Sequence, residues 1–173
     1  SRFITEKKSN ELIKKLESVP GKSETHQWKD EGNVIPFTGS RTLVVGMGDI
    51  GTEFGRKMHA LGSTVAGVRR HRTAAPEFAK AVYTMDELDE QLGKADIVAC
   101  SLPGTKETYH LFDGERIRRM KRGAILINVG RGSLIRTKAL VEALKSGQLS
   151  GACLDVTEQE LCRRNRRFGM RRI

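Results

Sequence analysis

"LVVGMGDIG", residues 43–51, sets Gly46, Gly48 and Gly51 at the joint between an apolar run and a helical pattern. Each position needs glycine for a different reason. Gly46 permits a tight turn, Gly48 lets a pyrophosphate approach the backbone, and Gly51 lets the helix pack closely on the sheet. The unpaired amides and the dipole at the helix start would then face the phosphates. The bare spacing also suits an ordinary glycine-rich turn. Its context favours dinucleotide binding: a strand pattern stands before it, and Ile50, Phe54, Met58 and Leu61 recur on one helical face after it, ending at Gly62.

Outward from this loop the chain alternates short β-branched runs with helical patterns. "RTLVVG", "STVAGV", "DIVACS", "AILINV" and "GACLDV" read as strands, and "DIGTEFGRKMHALG", "TMDELDEQL" and "TKALVEALKSG" as helices. Strands alternating with helices of this length imply crossover units around a parallel sheet. "LVV", "IVAC" and "ILINV" are continuously apolar, as expected when both faces of a sheet are covered. The predicted fold class is α/β, a Rossmann-type doubly wound parallel sheet with helices on both faces. Thr84 and Glu87 form a capping box ahead of Leu88 and Leu92, and Gly93 suits a left-handed stop. The expected organisation is a helical N-terminal arm and linker over 1–36, a dinucleotide-binding domain over 37–160, and a basic tail over 161–173. In the arm, Leu12, Ile13, Leu16 and Val19 share a helical face before Pro20 and Gly21.

At 173 residues and 38% hydrophobic, the chain has room for one domain with a core. No apolar run approaches the roughly 20 residues that span a bilayer, and "SRFITEKKSN" lacks the apolar stretch of a secretory signal, so a soluble cytoplasmic protein with no membrane partner is expected. Cys100, Cys153 and Cys162 have neither metal-ligand nor redox spacing, and the first two sit in apolar runs. His26, His59, His71 and His110 are scattered without a clustering partner and read as structural or solvated; no metal site is expected.

The end of the second strand speaks to the cofactor. About 20 residues beyond the glycines an acidic residue normally binds the ribose hydroxyls of NAD. Here Arg69 and Arg70 occupy that place, with Arg72 just after, and arginine can pair with a 2′-phosphate. This favours NADP(H), with NAD(H) possible; the alternative is a solvated strand end.

Four ordered motifs, "GMGDIG", "ADIVACSLPGTKET", "MKRGAILINVGRGSL" and "ALVEALKSGQLSGACLDVTEQE", together resemble the cofactor domain of the D-isomer-specific 2-hydroxyacid dehydrogenases, which include glycerate, phosphoglycerate and glyoxylate/hydroxypyruvate reductases. The resemblance runs from about Trp28 to Glu160. It implies NAD(P)-dependent interconversion of a small 2-oxo acid and its D-2-hydroxy acid. "HQWKDEG" resembles the family's tryptophan-containing approach to this domain, which implies a homodimer. By position, the resemblance implies that Asp49 and Ile50 flank the pyrophosphate, and that Leu102, Pro103 and Thr108 line the adenine and ribose side. It likewise sets Val129, Gly130 and Asp155 near the nicotinamide. Arg131 would hold the substrate's carboxylate and 2-oxygen, a role that suits a guanidinium fork. Glu160 would pair with the catalytic histidine and raise its pKa.

Two departures qualify that reading. The family's proline-histidine pair beyond the glutamate has no counterpart here, and the residues that precede the domain in the family, most of its substrate-binding part, are missing. The expectation is therefore a cofactor-binding fragment with weak dinucleotide binding and little turnover. The chain instead ends "ELCRRNRRFGMRRI", whose last twelve residues supply six of the ten net positive charges. Read one base out of register, permitted codons for this tail give "VPAESPLWDAPN", close to the family's "PLPxxSPLWxxPN". A single-base deletion just after Glu160 is the expected origin, and DNA sequencing that finds no restored frame would sink it. Taken at face value, the tail is a basic arm with one aromatic, Phe168, whose nucleic-acid binding would be weak and salt-sensitive. A third reading is a non-catalytic, corepressor-like module that binds the cofactor without turnover.

Overall fold

The structure, a computed structural model, describes residues 36–158. The expected arm helix, the "HQWKDEG" segment, Glu160, Cys162 and the basic tail lie outside the described residues. Six strands run β1 (Arg41–Val45), β2 (Thr64–Arg69), β3 (Ala79–Thr84), β4 (Ile97–Cys100), β5 (Ala124–Asn128) and β6 (Leu149–Leu154). The helices are α1 (Asp49–Ala60), α2 (Leu88–Leu92), α3 (Gly114–Arg119) and α4 (Thr137–Lys145). All strand pairs are parallel, in the order β3-β2-β1-β4-β5-β6. The predicted fold class holds.

Alternate residues of the central strands feed two cores. On one face Val44, Val65, Ile97 and Ile127 pack with Phe54 and Met58 of α1. On the other, Leu43, Val45, Val98 and Leu126 pack with Leu88 and Leu92 of α2, Ile117 of α3, and Ala139, Leu140 and Ala143 of α4. Covering both faces explains why Val44, Val45, Ile97 and Val98 are all fully buried. The outermost strand, β6, instead alternates buried or half-buried with exposed positions.

Helix boundaries follow the local chemistry. Gly62 ends α1 at φ 87°, and its N–H donates to the His59 carbonyl at 2.9 Å. Glu87 takes the Thr84 backbone N–H at 2.9 Å and the Thr84 hydroxyl at 3.0 Å, as the capping-box reading expects. Asp113 caps α3 by accepting the Arg116 N–H at 2.8 Å. Three readings need correction. Gly93 is right-handed, at φ −67° and ψ −13°, because Lys94 and Ala95 continue the turn through bonds to the Gln91 and Leu92 carbonyls. "AKAVYT" forms β3 and "GERIRR" forms α3, and neither was read as an element. Cys153, although in an apolar run of the sequence, is only half-buried, since it lies on the edge strand. Among the described residues no helix is long and apolar enough to cross a membrane, and no group of three side chains could hold a metal ion.

The topology positions the site. From β1 the chain winds outward through β2 and β3; from β4 it winds the other way through β5 and β6. The carboxyl ends of β1 and β4 therefore bound the switch-point crevice where open α/β sheets take their ligands.

Candidate functional site

The loop after β1 lies at this crevice. Gly46 sits at φ 97°, a left-handed conformation that a side chain would strain, and its N–H bonds the Val68 carbonyl at 2.9 Å. A Cβ on Gly51 would stand 2.0 Å from the Gly46 carbonyl oxygen, so the first turn of α1 rests directly on the loop. Gly48 differs: nothing lies within 4 Å of its would-be Cβ, and the residue is exposed at the N-cap of α1. The three glycines thus differ in their surroundings: a left-handed turn at 46, open space at 48 and close packing at 51. Asp49 is exposed in the first helical turn and Ile50 is half-buried beside it.

The loops after β4 and β5 close over the other side. Ser101 donates its hydroxyl to the Gly46 carbonyl oxygen, and its N–H bonds Val45 at 2.9 Å. Leu102 wedges between two glycines: a Cβ on Gly46 would stand 2.9 Å from its Cδ2, and one on Gly130 would stand 2.4 Å from its carbonyl oxygen. Pro103 is exposed, whereas Thr108 is buried. The Thr108 hydroxyl donates to the Pro103 carbonyl at 2.7 Å and accepts the Thr105 N–H at 2.9 Å. Its hydrogen bonds therefore shape the loop from within.

Beyond β5, Val129 and Gly130 are buried and Arg131 is exposed. Asn128, 1% exposed, organises this turn: its side-chain nitrogen donates to the Arg131 carbonyl at 2.9 Å and its oxygen accepts the Gly130 N–H at 3.1 Å. One Arg131 guanidinium nitrogen donates to the Gly130 carbonyl at 2.9 Å. Asp155, exposed at the end of β6, bonds through its N–H to the Asn128 carbonyl at 3.0 Å.

The arginines at the end of β2 separate. Arg69 turns back and donates to the Met47 carbonyl in the glycine loop, while its Nε is buried without a hydrogen-bond partner. Arg70 is exposed; behind the Thr105 hydroxyl, it helps hold the Glu107 carboxyl below its ordinary value. Arg72 is paired with Glu87 at 2.8 Å and is thereby drawn to the capping box. A buried orphan donor at this place, an open Gly48 and a helix start with no side-chain cap fit the phosphates of a dinucleotide.

Four contributors escaped the sequence reading: Asn128, Ser101, His110 and Glu158. Glu158 accepts the Thr137 N–H at 3.0 Å, and that bond, with His110 and the Thr137 hydroxyl, pulls its carboxyl down to about 2. His110, read as scattered, is therefore partnered. Among the described residues Cys100 is fully buried, and burial pushes its thiol far up, so it packs as an inert hydrophobe.

A family model described as "D-isomer specific 2-hydroxyacid dehydrogenase, NAD binding domain" matches residues 10–172. A glyoxylate reductase of Thermofilum pendens is 40% identical over 141 residues, covering 79% of this chain and 42% of its own length. The crystal structure of a phosphoglycerate dehydrogenase from Lactobacillus plantarum superposes with a TM-score of 0.76 at 34% identity, over 85% of this chain and 47% of that one. An NADPH-dependent glyoxylate/hydroxypyruvate reductase from Sinorhizobium meliloti, in complex with NADP and sulfate, superposes with a TM-score of 0.71 at 30% identity, over 84% and 46% of the respective chains. The chain spans about half the length of these relatives.

Proposed function

The chain belongs to the D-isomer-specific 2-hydroxyacid dehydrogenase family, whose NAD-binding domain it matches, and on that premise we propose that it binds NADP(H) in preference to NAD(H) over the Gly46–Gly51 loop. The whole protein would interconvert a small 2-oxo acid, such as glyoxylate or hydroxypyruvate, and its D-2-hydroxy acid. The observation that carries the reading is the space over Gly48, left open at the start of α1 while the glycines at 46 and 51 are held by close contacts.

When bound, the nicotinamide supplies or accepts the hydride. The protein's residues do the rest. Amides of Gly48, Asp49 and Ile50 at the start of α1 take the pyrophosphate. Leu102, Pro103 and Thr108 border the adenosine side, and Val129, Gly130 and Asp155 the nicotinamide side. Arg69 and Arg70 take the 2′-phosphate; the buried, unpaired Arg69 Nε supports this, since a phosphate oxygen would satisfy it. Arg131, exposed and with donors beyond the one given to Gly130, grips the substrate carboxylate and polarises the 2-oxygen. Glu160 would hold a proton on a histidine partner. These 173 residues carry no histidine beyond Glu160, so for them the proposal is cofactor and carboxylate binding with little turnover. Homodimerisation in the cytoplasm belongs to the same proposal, supported by the resemblance of "HQWKDEG".

The test is a titration of the chain with NADPH and NADH followed by cofactor fluorescence. Tighter NADPH binding, reduced to NADH-like affinity when Arg69 and Arg70 are both replaced by serine, supports the assignment. Equal affinities would overturn the cofactor preference, and binding of neither would overturn the reading as a whole.

A further inference from the structure

One carboxylate fastens three segments at the carboxyl end of the sheet. Glu158 follows β6, and one of its oxygens accepts both the N–H and the hydroxyl of Thr137, at 3.0 and 2.8 Å, at the start of α4. Its other oxygen meets Nε2 of His110, which lies on the loop after β4. That loop is itself laced to the loop after β5: the His110 N–H bonds the Ser133 carbonyl at 2.8 Å, and the Phe112 N–H bonds the Leu134 carbonyl at 2.9 Å.

Two further observations give the fastening a direction. His110 has φ 51°, the only positive φ outside glycine among the described residues. A side chain there is strained, and such a conformation persists where its surroundings over-determine it. Here the imidazole is fixed by Glu158 on its Nε2 and by the Tyr109 ring, stacked with centroids 3.9 Å apart. Beside it, a Cβ on Gly132 would stand 1.8 Å from the Thr157 carbonyl oxygen. The residue just before Glu158 thus lies flat against the residue just after Arg131.

We propose that His110 and Glu158 are a positioning pair: by fixing where the chain leaves β6, they press Thr157 onto Gly132 and so aim the Arg131 guanidinium at the substrate carboxylate. This rests on the reading of Arg131 as the carboxylate anchor. The same fastening sets the origin of the chain that runs on to Glu160, two residues later. Neither His110 nor Glu158 touches the substrate in this arrangement.

The test uses the whole chain carrying His110→Gly, His110→Gln, Glu158→Gln or the Gly/Gln double replacement. Glycine at 110 relieves the backbone strain and removes the ring, so it separates conformation from contact. The probe is oxalate, titrated calorimetrically into chain saturated with NADPH. Oxalate affinity is expected to fall about tenfold or more in His110→Gly and Glu158→Gln, as for a misplaced binding group. The double variant should be no worse than the singles, and His110→Gln, which returns a donor near the Nε2 position, should recover part of the loss. NADPH affinity should fall much less than oxalate affinity, because the loop after β1 is untouched and only the far end of the loop after β4 is altered. Oxalate binding equal to wild type in His110→Gly and Glu158→Gln overturns the pair. A wild-type chain that binds neither NADPH nor oxalate overturns the functional reading instead, and amide hydrogen exchange then decides the pair. Faster exchange in 131–137 and 156–158, beyond the substituted loop, in His110→Gly supports the fastening, and unchanged exchange there refutes it.

Discussion

Gly67, in the middle of β2, lies flat against Met47: a Cβ on Gly67 would stand 1.7 Å from the Met47 sulfur. Met47 is the residue between Gly46 and Gly48, and its side chain is 2% exposed. The glycine loop is thus anchored to the sheet by its own central side chain, and β2 must lack a side chain at that position to receive it. Gly67→Ala should destabilise the fold by about 1–3 kcal/mol, the usual cost of overpacking, read by urea unfolding. It should also weaken NADPH binding, since the sulfur has to move and the loop with it. Met47→Ala in the same chain should restore part of both, and no restoration would mean that the two residues are not coupled.

The glycines of the loop should separate under substitution. Gly51→Ala puts a methyl 2.0 Å from the Gly46 carbonyl and 2.6 Å from the Ser101 hydroxyl, so stability and NADPH binding should fall together. Gly48→Ala meets nothing within 4 Å at an ordinary φ of −76°, so the melting temperature should hold while dinucleotide affinity drops. Thermal melts and NADPH titrations of both variants distinguish a structural glycine from a ligand-facing one.

Asn128 is a buried amide serving both ends of the turn that carries Arg131. Asn128→Leu strands the buried Gly130 N–H, while the Arg131 carbonyl keeps the Leu134 N–H at 3.2 Å, so the change should cost about 1–3 kcal/mol for the one group left unsatisfied in the interior. Asn128→Asp keeps the acceptor for Gly130 but faces the Arg131 carbonyl with an oxygen, so it should retain only part of the stability. Denaturant unfolding of the two variants checks the order.

Glu158 makes stability depend on acid. Its carboxyl titrates near 2 in the fold, below the ordinary 4.5, chiefly because of the Thr137 N–H, with His110 and the Thr137 hydroxyl adding to it. The folded form therefore holds the proton less tightly than the unfolded form. The contribution is fully present above about 4.5 and is lost as pH falls from there toward about 2. The stability difference between wild type and Glu158→Gln should shrink as pH falls from about 4.5 toward about 2. A difference that persists unchanged at pH 2 would contradict the assignment.

The parts of this molecule legible in its sequence are those governed by local rules. Gly46 and Gly51 are constrained by backbone geometry within one loop, and β1, β4 and β5 by continuous apolar runs. β3 escaped because "AKAVYT" lies toward the sheet's edge, with only Ala79 and Val82 buried, and α3 because its six residues bury only Ile117. Gly93 misled because a glycine after a helix more often turns left-handed, whereas here the turn continues. Within the site, the Ser101–Gly46 and His110–Glu158 contacts join residues 55 and 48 positions apart on different loops. No spacing announces such pairs. They exist because the parallel sheet brings the ends of β1, β4, β5 and β6 to one edge, and only the assembled fold reveals which side chains meet there.

The central claim is that a phosphorylated dinucleotide lies across the opening at Gly48. The most direct measurement is an NADPH fluorescence titration of the wild-type chain beside Gly48→Asp, whose side chain has room in the fold and puts a negative charge where the pyrophosphate would lie. The account predicts saturable binding to wild type and at least about a tenfold loss in the variant, with matching thermal melts. Equal NADPH affinity in the two chains would contradict it.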